Sequence, residues 1–200
     1  MLVLIVEDEP VARMLHVSML ARMQDVTAVG VDSVAAAQAF LDASAPDVII
    51  LDVQLPDGTA LDVLMALAAR RAAVHLVIVT GHVDELPGAL PRSRRMPVLR
   101  KPASMRELQQ LVGHFRQAGA PCEPFAPLEY VQLACMSLKS VVIACAAADG
   151  RPLGSIALAK GAMEWAHDAS GSGVAALHRL SALERCEVRV LPPSGPEPQV

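Results

Sequence analysis

VIILDVQLPDG, residues Val48 to Gly58, sets an aspartate directly behind four apolar residues. Val48-Ile49-Ile50-Leu51 is an unbroken β-branched and aliphatic run, the pattern of a strand buried on both faces of a parallel sheet. A core alone does not need a carboxylate at the end of such a run. Asp52 is either a strand cap that opens a loop, or a residue at the carboxyl edge of a parallel sheet, where open α/β folds keep their sites. Its neighbours along the chain decide between the two.

On the N-terminal side, residues 2–6 (LVLIV) form a short apolar strand ending in Glu7-Asp8-Glu9. Pro10 suits the first turn of a helix, where its missing N–H costs nothing. Val11, Met14, Leu15, Ser18, Met19 and Met23 recur at helical spacing to about Gln24. Residues 26–31 read as a second strand, and Ser33 as the cap of a helix through Phe40 and Leu41. On the C-terminal side, residues 59–71 predict a third helix and 75–79 (HLVIV) a fourth strand ending at Thr80-Gly81. Segment 83–95 holds Pro87, Gly88 and Pro91, which leave room only for a short or broken helix. Residues 96–99 are a fifth strand, followed by Arg100-Lys101-Pro102. Residues 104–117 form a last helix with Leu108, Leu111, Val112 and Phe115 on one face. Five strands alternating with helices signal a doubly wound parallel sheet over residues 1–118.

Bulk properties exclude several functions. Residues 1–118 carry 11 Lys+Arg against 13 Asp+Glu, and residues 119–200 carry 6 against 8. Neither half is basic, which argues against a nucleic-acid binder working by bulk charge. The first apolar run is too short for a secretory segment and is followed by acid. No apolar stretch approaches a membrane span. Cys122, Cys135, Cys145 and Cys186 have no metal-ligand spacing and read as reduced and structural. A cytoplasmic protein is expected.

Glu7 and Asp8 follow strand one, Asp52 strand three, Thr80 strand four and Lys101 strand five. In a sheet of order 2-1-3-4-5, strands one and three flank the switch point and their ends meet in one crevice. Three crowded carboxylates repel one another unless a hard cation neutralises them. Mg²⁺ suits, because it accepts carboxylates while keeping waters or phosphoryl oxygens in its other positions. Lys101 supplies a compact positive charge, and Thr80 a hydroxyl able to donate to an oxyanion. Such a set stabilises a phosphoryl group moving onto a carboxylate, with Asp52 as the nucleophile. Taken singly, each residue has a plainer reading: Glu7-Asp8 as an acidic pair at a helix N-terminus, Thr80-Gly81 as a turn, Lys101 as solvated surface. Their joint order at the strand ends favours the site.

VEDEP (6–10), LDVQLPDG (51–58), VTG (79–81) and RKP (100–102), in this order, resemble the receiver domain of bacterial response regulators. The resemblance covers about residues 1–118 and implies a flavodoxin-like sheet of order 2-1-3-4-5. It implies that Glu7 and Asp8 are the metal-binding acidic pair, Asp52 the phosphoacceptor, Thr80 the switch hydroxyl and Lys101 the phosphate-contacting lysine. It further implies that the backbone carbonyl of Gln54 completes the Mg²⁺ ligands and that the Lys101-Pro102 bond is cis. The phosphoryl donor would be a sensor histidine kinase or a histidine phosphotransfer protein. Two departures stand out. Val98 occupies the position, three residues before Lys101, where the family usually carries an aromatic ring that swings with the threonine. The broken segment 83–95 falls where a fourth helix forms much of the family's output face. Thr80 is therefore expected to couple to the surface differently, or more weakly.

Beyond a proline-rich linker (119–127), residues 128–191 read as a second, smaller α+β domain, and 192–200 as a disordered tail. Residues 128–138 are helical in pattern. Residues 140–161 give two strands joined through Asp149-Gly150. Residues 162–167 give a third strand, 171–183 a capped helix and 186–191 a closing strand. The Leu-x-x-Val-Gln-Leu helix (128–133), the hairpin reaching Gly154-Ser155-Ile156, Gly161 with Trp165-Ala166-His167, and the 173–180 helix resemble a PATAN-type domain. That resemblance implies protein–protein interaction with a downstream partner. His167, Asp168, Ser170 and Ser172 form no nucleophile elbow or ordered triad, so this half is expected not to be an enzyme. Trp165 reads as a packing ring rather than a partner anchor. The 174–183 helix has one arginine and an apolar face, which disfavours a DNA-binding output. A haloacid-dehalogenase-like phosphatase would need an aspartate where Gln54 stands. A degenerate receiver serving as a homodimerisation platform and a transcriptional regulator stay open as alternatives.

Overall fold

A computed structural model of the chain describes residues 1–81, 92–119 and 125–193. Most of the 83–95 segment, the linker centre with Cys122, and the tail from 194 onward lie outside the described residues. Those described fall into two compact units, residues 1–81 with 94–119, and residues 92–93 with 125–193.

The first unit runs β1 (Leu2–Val6), α1 (Pro10–Leu20), β2 (Thr27–Val31), α2 (Val34–Ala43), β3 (Val48–Asp52), β4 (Gln54–Leu55), β5 (Gly58–Thr59), α3 (Ala60–Ala69), β6 (His75–Thr80), β7 (Val98–Arg100) and α4 (Met105–Ala118). Its main sheet is wholly parallel with order β2-β1-β3-β6-β7. With the two-residue ladder β4-β5 set aside, that is the expected 2-1-3-4-5 order. The ladder itself was not foreseen, since two residues carry no periodicity.

All five residues of β3 are buried, as a central strand covered on both faces must be. Val3, Ile5, Val48, Ile50, Val77 and Val79 point to one face and pack with Leu20, Leu108, Val112 and Phe115 from α1 and α4. Leu4, Val6, Ile49, Leu51, Leu76 and Ile78 alternate with them and are at most 1% exposed. Right-handed crossovers put α2 and α3 on that second face. Each such side chain stabilises the fold by about 1.5–3 kcal/mol, which holds the strand ends in fixed register. Helix starts are set by local chemistry. The Ser33 hydroxyl accepts from the Ala36 amide (3.2 Å), and Asp57 accepts from the amides of Val34 and Ala35 (2.8 Å each). Capping boxes Thr59/Asp62 and Ser104/Glu107 open α3 and α4. Helix α1 stops at Leu20 rather than Gln24; the chain turns there through Asp25 in a left-handed conformation (φ 58°), and Arg116 donates to the Gln24 carbonyl (2.9 Å).

The second unit runs α5 (Pro127–Met136), β8 (Val141–Ala146), β9 (Pro152–Ala159), β10 (Ala162–Asp168), β11 (Gly171–Ser172), α6 (Val174–Ser181) and β12 (Glu187–Leu191). Its sheet is antiparallel throughout, in order β11-β10-β9-β8-β12. Ile143, Ile156 and Ala166 stand in one cross-strand row on the face backed by α5 and α6. Val142, Ala157 and Trp165 form a buried row on the other, so Trp165 is a packing ring.

Gly154 lies on the helix-backed face with φ +150°, where a Cβ would collide with the His167 carbonyl and sit 2.9 Å from Leu180 Cδ2. We expect Gly154→Ala to destabilise the second unit by about 1–3 kcal/mol. Urea unfolding followed by circular dichroism measures this; an unchanged midpoint would show that the close approach of β9 to β10 and α6 is wrong.

Candidate functional site

Register alone converges the polar residues. Val6 pairs with Leu51, Asp52 with Val79 and Thr80 with Arg100, so Glu7, Asp52, Thr80 and Lys101 emerge at one edge of the sheet. Each follows a strand whose pairing register fixes which residue emerges at the edge.

At that edge one carboxylate oxygen each of Glu7, Asp8 and Asp52 lie within 4.8 Å of one another. Glu7 and Asp52 are buried, at 2% and 8% exposed, while Asp8 is exposed. Lys101 Nζ bridges the two buried acids, 2.7 Å from Glu7 Oε1 and 2.6 Å from Asp52 Oδ2. Thr80 is 1% exposed, and its carbonyl accepts from the Lys101 amide (2.9 Å). The Gln54 amide approaches Asp52 Oδ1 at 3.4 Å. The Lys101-Pro102 bond is cis. All six residues anticipated from the sequence therefore lie at this edge, with Thr80 placed by register and Gln54 through its main chain.

Two carboxylates this close repel by roughly 3–4 kcal/mol at an effective dielectric of about 20. The consequence is visible in Glu7 and Lys101. Burial raises the Glu7 carboxyl above its ordinary range, the Asp52 charge adds to that, and the hydrogen bond from Lys101 opposes it. Burial works against the Lys101 ammonium, but the hydrogen bonds to Asp52 and Glu7 outweigh it and raise its pKa. Three carboxylates against one ammonium leave a formal charge of −2 at the edge. All-oxygen donors with that charge fit a hard divalent cation.

Sequence reasoning missed two residues that shape the site. Arg13 on α1 reaches back and donates to the carbonyls of Glu7 (2.7 Å) and Asp8 (3.0 Å), fixing the backbone that presents both acids. Gly30 on β2 leaves room for its stem, since a Cβ there would lie 2.8 Å from Arg13 Cγ. An arginine six residues after Glu7, in the first turn of the helix that follows it, was the available signal. Glu9 caps α1, accepting from the amides of Val11 (3.2 Å) and Ala12 (2.8 Å). His16 was also unforeseen. It is buried with no partner for Nδ1 among the described residues. Burial, reinforced by the charge of Lys101, holds its pKa below the ordinary histidine value.

With this geometry in hand, comparison with known proteins is direct. The response regulator receiver domain family matches residues 3–113. The chain belongs to the response regulator receiver family, whose members work in two-component signalling and take their phosphoryl group from histidine kinases or phosphotransfer proteins. The DNA-binding transcriptional activator DevR/DosR of Mycobacterium tuberculosis is 34% identical over 84 residues, which is 42% of this chain and 39% of that protein. The signal receiver domain of a putative Luxo repressor protein from Vibrio parahaemolyticus is 28% identical with a TM-score of 0.51, over 58% of this chain and 91% of that one. The receiver domain of Francisella response regulator 1452, at 16% identity and a TM-score of 0.50 over 58% of this chain and 97% of that one, shares the fold. Among the described residues no helix is long and apolar enough to cross a membrane.

Because His16 is buried, its unfolded state binds protons more readily than its folded state below pH 6.5, so its contribution worsens as pH falls. We expect His16→Leu to stabilise the chain by about 1 kcal/mol at pH 7.5 and by more at pH 5.5. Urea midpoints of the two proteins at both pH values test this; a gap that narrows on acidification would refute a buried neutral His16.

Proposed function

We propose that the chain is a two-component response regulator phosphorylated on Asp52, with a C-terminal output that binds protein rather than DNA. The observation that carries this reading is the Lys101 bridge across Glu7 and Asp52 inside the three-carboxylate cluster. Glu7, Asp8, Asp52 and the Gln54 carbonyl would hold Mg²⁺, which when bound neutralises the acids and the incoming phosphoryl oxygens. An Asp52 carboxylate oxygen attacks phosphorus; the O–P bond forms as the N–P bond to the donor histidine breaks. Lys101 Nζ, already beside that oxygen, follows the charge onto the phosphoryl group. Thr80 donates its hydroxyl to a phosphoryl oxygen, and the shift of the loop after it carries the change outward. Val98 opens β7 half-buried and without a ring, so this response runs without an aromatic partner at that position.

In this reading the chain is cytoplasmic, performs no chemistry beyond its own phosphorylation and dephosphorylation, and uses residues 128–191 as a PATAN-type module for a downstream protein. DevR/DosR is a DNA-binding activator by name, but the matched stretch spans 39% of it. Two features of the second unit favour protein binding over DNA. Helix α6 is only eight residues long, and its one arginine, Arg179, is held by Asp168 at 2.6 and 2.8 Å. Asp168 also accepts from the Ser170 amide (2.8 Å), which engages it in structure rather than in a catalytic relay.

Acetyl phosphate with Mg²⁺ should convert wild type to a species retarded on a phosphate-affinity gel. Asp52→Ala should abolish the shift completely, and EDTA should do the same to wild type. An unphosphorylatable wild type would leave the degenerate scaffold as the better reading.

A further inference from the structure

We propose that Cys186 and Cys145 form a peroxide-sensitive thiol pair on the helix-backed face of the second sheet, closing reversibly to a disulfide. The register places them. Val188 of β12 stands opposite Cys145 of β8, and Val190 opposite Ile143. Cys145 also stands opposite Gly154, whose missing Cβ points toward Leu180 of α6, so Cys145 faces the helices. Cys186 precedes Val188 by two residues and shares its face. The two thiols are thus diagonal neighbours on paired strands, close enough for each to influence the other's ionisation.

Their surroundings differ. Cys145 is buried at 2% exposed, whereas Cys186 is half-buried, and neither is in a disulfide. The neighbouring Cys186 sulfur, together with burial, pushes the Cys145 thiol up, while Cys145 beside it lowers the Cys186 thiol. Cys186 is the accessible nucleophile and Cys145 the protonated resolving thiol. Diagonal Cα atoms lie ~7–8 Å apart, slightly beyond the ~4.4–6.8 Å that disulfides span. Closing therefore needs a small backbone shift. Cys186 can supply it, because it lies one residue outside β12, after a bend at 184–185, on the edge strand of the sheet.

The chemistry balances with a hydroperoxide as oxidant. The Cys186 thiolate attacks one peroxide oxygen; the S–O bond forms, the O–O bond breaks and hydroxide leaves, giving a sulfenic acid. Cys145 sulfur then attacks the Cys186 sulfur; the S–S bond forms, the S–O bond breaks, and the Cys145 proton departs with the hydroxyl as water. Two thiols lose two electrons and hydrogen peroxide becomes two waters. A thiol reductant reverses the closure.

The test uses the full reduced chain, treated with hydrogen peroxide, quenched with N-ethylmaleimide and digested without reductant for mass spectrometry. The expected product links the Cys145 and Cys186 peptides, two hydrogens lighter than their sum, and it disappears with dithiothreitol and in Cys186→Ser. Without peroxide, N-ethylmaleimide should label native Cys186 and spare Cys145. Since Cys145→Ser sits in the core, Cys186→Ser on the rim carries the decisive comparison. Over-oxidation of Cys186 with no cross-link, a bond from Cys186 to Cys122, Cys135 or a second chain, or equal labelling of both thiols would overturn the proposal.

Discussion

One ammonium held between two buried carboxylates is the constraint on which the functional edge depends. Lys101 reaches Glu7 from β1 and Asp52 from β3 while leaving β7, so a single charge ties together the ends of three strands. Buried ion pairs are poor stabilisers, because desolvation offsets most of their Coulombic gain and an apolar trio of similar volume often does better. This cluster is also unbalanced, with a third carboxylate from Asp8 and too little positive charge to satisfy it. A sheet selected for stability alone would not carry it. Such an excess of carboxylate oxygens is suited to a further cation.

Holding such a cluster together requires a scaffold that does not yield. Alternate residues of β1, β3 and β6 are buried on both faces, so a slip of one residue would exchange the two sets and mismatch the packing of each against its helices. The loop bearing Glu7 and Asp8 has a separate restraint in Arg13, whose guanidinium holds both carbonyls. The space for that side chain comes from Gly30 on the neighbouring strand. The acids are thus held by one cation that touches their backbone and by another, Lys101, that touches the oxygens of Glu7 and Asp52.

Much of this was legible in the sequence because it rests on local patterns. Apolar runs of four to six residues closed by Glu7, Asp52, Thr80 and Lys101 specify both the strands and the positions of the polar groups at their ends, and parallel order follows from the intervening helices. The caps at Ser33, Thr59 and Ser104 belong to the same class of short-range signal. Arg13 was visible only as a basic residue soon after Glu7; its bonds to the two carbonyls and the space Gly30 leaves for it are contacts that no spacing encodes. His16 hid for another reason: it occupies an inward position of an amphipathic helix, where composition suggests nothing but packing. The ladder of β4 with β5 and the thiol pair depend on register, which only coordinates supply.

The second unit places its polar groups differently, and the contrast bears on what it can do. Asp168 is engaged by Arg179 and the Ser170 amide, Asp149 by the Arg151 amide, and Ser140 by the Lys160 amide. Each of these bonds closes a turn or ties a loop to a neighbour, and none aims a charge into a crevice. These bonds fix the turns and loops of the unit rather than gathering charge at one edge of its sheet. In the first unit three carboxylates crowd around one ammonium, whereas in the second Asp168 of β10 is matched by Arg179 of α6. Added charge would perturb the crowded acidic edge far more directly than an ion pair already matched.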